Sequence, residues 1–158
     1  MANHVQQILD GITNDDAEAF LGAGELLRAH TIGLEGTSVL EPYAANYAAN
    51  PLNDEDVVTL KDALLKYLLD GGIPNAASAA HGLTQLGDRS LIPSFTRILN
   101  ERLSEFSRQG YAIGQLLLAL DRCGENATTG NSYSSDAFDQ NMKDAREYLL
   151  AKGFEGQW

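Results

Sequence analysis

Two groups of carboxylates are the first candidates for chemistry: Asp15, Asp16 and Glu18, and then Asp54, Glu55 and Asp56. Neighbouring carboxylates can coordinate a hard cation or share acid–base work. Both groups also fall where a helix is expected to begin, and there negative side chains complement the positive end of the helix dipole. That is the role expected of them; they are kept as candidate partner-binding residues, and no metal ligand or catalytic residue is assigned. Tyr43 and Tyr47, four residues apart among alanine and asparagine, form an aromatic stripe that can anchor a partner or pack on a neighbouring helix. His81 lies in an alanine-rich segment, but no serine, cysteine or acid stands at a spacing that selects it as a general base. Cys123 ends an apolar helix, where the dipole disfavours a thiolate, and reads as a small core residue. Trp158, in the tail Gly-Phe-Glu-Gly-Gln-Trp, either docks on the body or is exposed. No phosphate-cradling glycine loop, HExxH helix, nucleophile elbow or kinase signature is present.

Charge narrows the function classes. The 158 residues carry 22 Asp and Glu against 11 Lys and Arg, a net charge of −11, which argues against unaided binding to nucleic acid or to an anionic membrane. The excess is uneven. Residues 1–87 hold 12 acids against Arg28, Lys61 and Lys66, or −9, whereas residues 88–158 hold 10 acids and 8 bases, or −2. An acidic N-terminal half can steer a basic partner. One cysteine excludes an internal disulfide, and three histidines are too few for a Cys-rich or His-rich metal site. No run approaches the roughly 18 apolar residues of a membrane span. The start Met1-Ala2-Asn3-His4 lacks the basic and apolar regions of a secretory signal, so the expected location is the cytoplasm, with no cofactor expected.

The elements that must position these residues are helical throughout. Val5, Ile8, Leu9 and Ile12 mark one face of a first helix that Gly11 weakens. Asn14 reads as the N-cap of a second helix that buries Phe20, Leu21, Gly24 and Leu27 and stops near Ala29, with Gly24 permitting a close helix contact. A connection from His30 to Ser38 leads to Pro42, placed at the first position of a short helix through Asn50. Asn53 caps a helix whose face is Val57, Leu60, Leu64 and Leu68, ending at Gly71-Gly72. Pro74 opens a helix to Leu86, and Asp88 or Ser90 caps the next, with Pro93 in its first turn and Ile92, Phe95, Leu99, Leu103 and Phe106 inward. After Gly110 the segment Tyr111–Cys123 reads as the core helix, and 125–135 as a loop. A last helix from Ser134 or Ser135 packs through Phe138, Met142, Ala145 and Leu149, and Gly153 ends it with Phe154 folding back.

A degenerate repeat runs through the middle. Val57, Leu60, Leu64 and Leu68 align with Ile92, Phe95, Leu99 and Leu103 at an offset of 35 residues. Ala79, Ala80, Leu83, Gly87 and Asp88 align with Leu116, Leu117, Leu120, Gly124 and Glu125 at 37, which makes two hairpins, each ending in glycine plus an acid able to cap the next element. The run from Ala79 to Asp88 with Leu91-Ile92-Pro93-Ser94-Phe95 resembles the HEAT repeat, in the short form associated with phycobilisome lyases; the resemblance is clearest over 54–125. The second copy departs from the pattern, since no proline follows Gly124-Glu125.

The resemblance implies an all-α fold of stacked antiparallel helical hairpins, a compact α-solenoid or curved bundle. The expected organisation is a single domain, with irregular helices in 1–52, two HEAT-like hairpins in 53–125 and a capping helix in 134–153. The expected function is non-catalytic protein binding, in its sharper form immunity-type inhibition of a basic partner such as a toxin. The resemblance also implies an alternative, bilin binding beside His81, Tyr43 and Tyr47. A scaffold subunit of a larger complex is the third expectation.

Overall fold

A computed structural model describes residues 3–34, 41, 43–107, 110–128, 138–156 and 158. Among these, all regular structure is helical: α1 Asn3–Thr13, α2 Ala17–Ile32, α3 Tyr43–Ala49, α4 Asp54–Asp70, α5 Ala76–Thr84, α6 Ile92–Phe106, α7 Gly110–Arg122 and α8 Phe138–Ala151, with a 3-10 turn at Arg89–Leu91. They fall into two compact units, Met1–Leu86 and Gly87–Trp158. None of these helices is long and apolar enough to cross a membrane. Pro42, Ser38 and the start of the last helix at Ser134 or Ser135 lie outside the described residues.

In the N-terminal unit α2 is the hub, packing against α1, α3, α4 and α5, while α4 also meets α1 and α5. This is a bundle around one helix, not a simple succession of stacked hairpins. Phe20, Leu26 and Leu27 of α2 meet a core that includes Leu60, Leu64 and Leu68 of α4 and Leu83 of α5, all fully buried. The periodic faces read from the sequence are thus packed at their centres, with Ile8 and Leu9 of α1 and Val57 of α4 only partly buried. Leu21, expected to be buried on α2, is instead 42% exposed. Gly24 meets the expectation of close approach: a Cβ added there would lie 3.4 Å from the Cα of Gly82, so the α2 and α5 backbones touch. Gly11 has a packing role as well. A Cβ there would come within 2.4 Å of the Ala19 Cβ, so glycine is what lets α1 cross α2.

Three helix ends differ from their expected places, each for a local reason. Asn14 does not cap α2. Asp15 adopts a left-handed φ of +58°, and the Asp16 N–H reaches back to the Gly11 carbonyl at 2.8 Å while Asp15 N–H meets Ile12 O at 3.1 Å, a Schellman closure of α1. The chain is therefore still leaving α1 at Asn14, and the cap of α2 is Asp16, whose carboxylate accepts from Glu18 N–H at 3.1 Å. At its other end α2 runs one turn past Ala29 to Ile32, where Gly33 supplies the first positive φ, +76°, and bonds back to Ala29 O. Pro74 does not open α5, which starts at Ala76: Pro74 and Asn75 form the turn before it, with Ala76 N–H on Ile73 O at 3.1 Å and the Asn75 side chain donating to Asp15. The end of α5 tightens into i→i+3 bonds from Gln85 and Leu86.

The C-terminal unit is built by α6, α7 and α8, with α6 and α7 each packing on α8 and on one another. Phe95, Leu99, Leu103 and Phe106 of α6, Ile113, Leu116, Leu117 and Leu120 of α7, and Met142, Ala145 and Leu149 of α8 are all buried, whereas Ile92 and Phe138, expected on the same faces, are only partly buried. Gly87 and Gly124 both take positive φ, +55° and +96°, so the two glycine–acid endings share a backbone role. The acids diverge. Asp88 caps the 3-10 turn through Ser90 N–H at 2.9 Å, whereas Glu125 turns to Lys152 and Tyr148. Gly153, at φ +90°, closes α8 with Phe154 N–H on Leu149 O at 3.0 Å.

Candidate functional site

Three of the residues singled out from the sequence converge in one place. Because α1 and α3 both pack on α2, a groove of about 210 Å³ lies along α2, with His4, Gln7 and Ile8 of α1 on one wall and Tyr43 and Asn46 of α3 on the other. Its floor is Ala19 and Leu26, and Asp16 and Glu18 stand at the N-terminal end of α2. Gly22 is what lets α3 lie so close, since a Cβ there would meet the Tyr43 ring at 3.0 Å and Ile8 Cδ1 at 3.4 Å.

Tyr43 donates its phenolic hydrogen to Glu18 Oε2 at 3.1 Å, linking α3 to α2. Partial burial pushes the Tyr43 phenol above its ordinary pKa, and the hydrogen bond to Glu18 and the charges of Glu18, Glu25 and Asp16 add to that. The phenol therefore stays protonated at neutral pH as a donor to the carboxylate. Neither Asp16 nor Glu18 takes part in an ion pair among the described residues. On the α1 wall, His4 Nε2 is shut off from water and meets no hydrogen-bond partner among the described residues. The groove combines an apolar floor, two carboxylates outside the ion pairs of the described residues and a half-buried aromatic ring, a surface chemically matched to a cation carried on an apolar stem.

The other candidates are placed elsewhere. Asp15 is exposed but belongs to a tie: Tyr67 Oη donates to its Oδ1 at 2.7 Å, as does Asn75 Nδ2 at 2.7 Å. These bonds hold the Asp15 carboxyl below its usual range, the Tyr67 bond first and the Asn75 bond second. In the second carboxylate group Asp54 and Glu55 are exposed, whereas Asp56 is only 4% exposed. Asp56 and Asn53 form a reciprocal capping box, Asp56 N–H to Asn53 Oδ1 at 2.8 Å and Asn53 N–H to Asp56 Oδ2 at 3.2 Å. Tyr47 is half-buried on the same helix as Tyr43 but does not line the groove. His81 is exposed on α5 beside Gln85 and is not among the groove residues either. Cys123 is buried, its thiol donating to Asp88 O at 3.2 Å, and desolvation followed by the Asp88 charge pushes its pKa up. Trp158 docks on the C-terminal unit, its indole N–H donating to Asn100 O at 3.3 Å.

Two networks escaped the sequence reading. Besides the Asp15–Tyr67–Asn75 tie, Tyr148 Oη stands 3.0 Å from Thr96 Oγ1 and 3.2 Å from Glu125 Oε1, which also accepts from Lys152 Nζ at 2.6 Å. The Lys152 bond chiefly holds the Glu125 carboxyl below its ordinary range and the Lys152 ammonium above its own. The glycine–acid pair at 124–125 pointed to a helix end, but its link to α8 required the tertiary fold. Among the described residues no group of three or more His, Cys, Asp and Glu could hold a metal ion. Comparison with protein-family models, with curated proteins and with solved structures finds no match to the chain.

Proposed function

We propose that this chain is a non-catalytic protein-binding module whose acidic N-terminal unit engages a basic protein, in the manner of an immunity-type inhibitor that masks a basic enzyme. The observation that carries this reading is the groove on α2, where Asp16, Glu18 and Tyr43 come together in the N-terminal half that holds −9 of the −11 net charge. A field of that sign raises the encounter rate with a cationic partner and rejects anionic ones. The hairpins α4/α5 and α6/α7, with their paired glycine–acid endings, support a HEAT-like descent for the helical framework, a lineage compatible with protein binding.

Affinity capture from the source cell tests the reading. The full chain, immobilised at low ionic strength, should retain a protein of basic isoelectric point that elutes as salt rises. Recovery of no basic protein, or binding indifferent to salt, would overturn it.

A further inference from the structure

We infer that the groove along α2 is a slot for one arginine side chain of a protein partner. This rests on the protein-binding reading above and adds to it the chemistry of the residue that enters. The dimensions suit a single long side chain, since 210 Å³ is below the few hundred cubic ångströms of drug-sized pockets. The lining is graded in polarity. Ile8, Ala19 and Leu26 offer an apolar bed for a methylene stem, and Glu18, Asp16 and the Tyr43 ring meet its charged end.

Arginine fits that end better than lysine. Its planar fork can give parallel N–H donors to a carboxylate and can lie flat on an aromatic face, whereas an ammonium is a compact, strongly hydrated point charge. Tyr43 occupies only Oε2 of Glu18, and no other side-chain bond to the Glu18 carboxylate occurs among the described residues. The positive end of the α2 dipole opposes a cation here. The slot therefore needs both carboxylates and the surrounding field of the acidic half, so binding should weaken with salt as well as with loss of Glu18.

The test uses the full chain and two-dimensional amide NMR. N-acetyl-arginine methylamide should give saturable shifts confined to the groove, at Ile8, Glu18, Tyr43 and Asn46, and the norleucine analogue should give none. Glu18→Gln, a conservative change at an exposed position, should weaken the arginine probe at least about fivefold, the loss expected when a charged hydrogen-bond partner is removed. Asp139→Asn, at an exposed position in the other unit, should leave its binding unchanged. Arginine shifts of equal size at Asp54 and Glu55, or equal shifts with norleucine, would overturn the slot. A ten-residue peptide of alternating arginine and serine separates this from the wider reading. If it binds the N-terminal unit without favouring the groove, only the slot falls; if it fails to bind at low salt, the protein-binding reading falls with it.

Discussion

Tyr67 and Asp15, 52 residues apart, meet at 2.7 Å, the phenol of α4 donating to a carboxylate that sits in the left-handed turn between α1 and α2. The same hydroxyl accepts from Asn75 N–H at 3.2 Å, and Asn75 Nδ2 returns to Asp15 Oδ1. Three chain segments are thereby fixed by one buried phenol, which also packs edge-on against Phe20 with ring centroids 4.6 Å apart. An acidic residue that looks like solvent decoration in the sequence is a structural anchor, and the groove residue Asp16 is held next to it.

Tyr67→Phe should remove this anchor while keeping the ring. It leaves a buried Asn75 N–H without its acceptor, and a loss of about 1–2 kcal/mol is expected in urea unfolding at neutral pH. The effect has a defined acid limb. Because folding lowers the Asp15 pKa from 3.8, its stabilisation is present above that value and is lost as pH falls through the folded one. The gap between the wild type and Tyr67→Phe should therefore shrink in acid; a gap that widens there would exclude Asp15 as the acceptor that matters.

Gly11→Ala provides the opposite of what helix propensity alone would give. Alanine normally favours a helix interior by about 1 kcal/mol over glycine. Here the new methyl would fall 2.4 Å from the Ala19 Cβ, so α1 must shift on α2. Net destabilisation of about 1–3 kcal/mol is expected, measured by denaturant unfolding.

Gly124→Ala should destabilise the C-terminal unit for two reasons at once. The position has φ +96°, costly for any residue with a side chain, and an added Cβ would collide with Arg89 Nη1, which donates to Cys123 O at 2.7 Å. A loss of at least about 1 kcal/mol is expected. In an Arg89→Ala background, where the collision and the Cys123 bond are both absent, the Gly124→Ala loss should be smaller than in the wild type; an equal loss would show that the backbone alone is responsible.

Glu125→Gln should be less stable than the wild type at neutral pH. Folding lowers the Glu125 pKa from 4.5 chiefly through Lys152, so this contribution holds above 4.5 and disappears as pH falls through the folded value. The two unfolding curves should converge in acid. Curves that stay parallel would show that the Glu125 charge does not carry the effect.

How much of the fold is legible in the sequence depends on whether the cause is local. The α4 helix can be read outright, because Asn53 and Asp56 cap it within one turn and Leu60, Leu64 and Leu68 repeat on one face. The Gly153 closure of α8 is equally local. The end of α1 is not, since nothing in Asn14-Asp15-Asp16 tells which residue takes positive φ until Asp15 finds Tyr67 and Asn75. The hub role of α2 is hidden for a related reason: periodicity shows that a face is apolar and not which helix covers it. Of the groove, Asp16, Glu18 and Tyr43 stand out by residue type and spacing, whereas His4, Ile8 and Asn46 belong to it only because α1 and α3 share α2 as their support.

The central claim, that the acidic N-terminal unit is the surface that meets a basic protein, is tested most directly by site-specific photocross-linking in the source cell. Benzoylphenylalanine at exposed Asn46, on the groove wall, is compared with the same residue at exposed Lys143 in the C-terminal unit. The expected result is one adduct from position 46, with a protein of basic isoelectric point, and none from position 143. An adduct formed only from position 143, or an acidic partner at position 46, would contradict it.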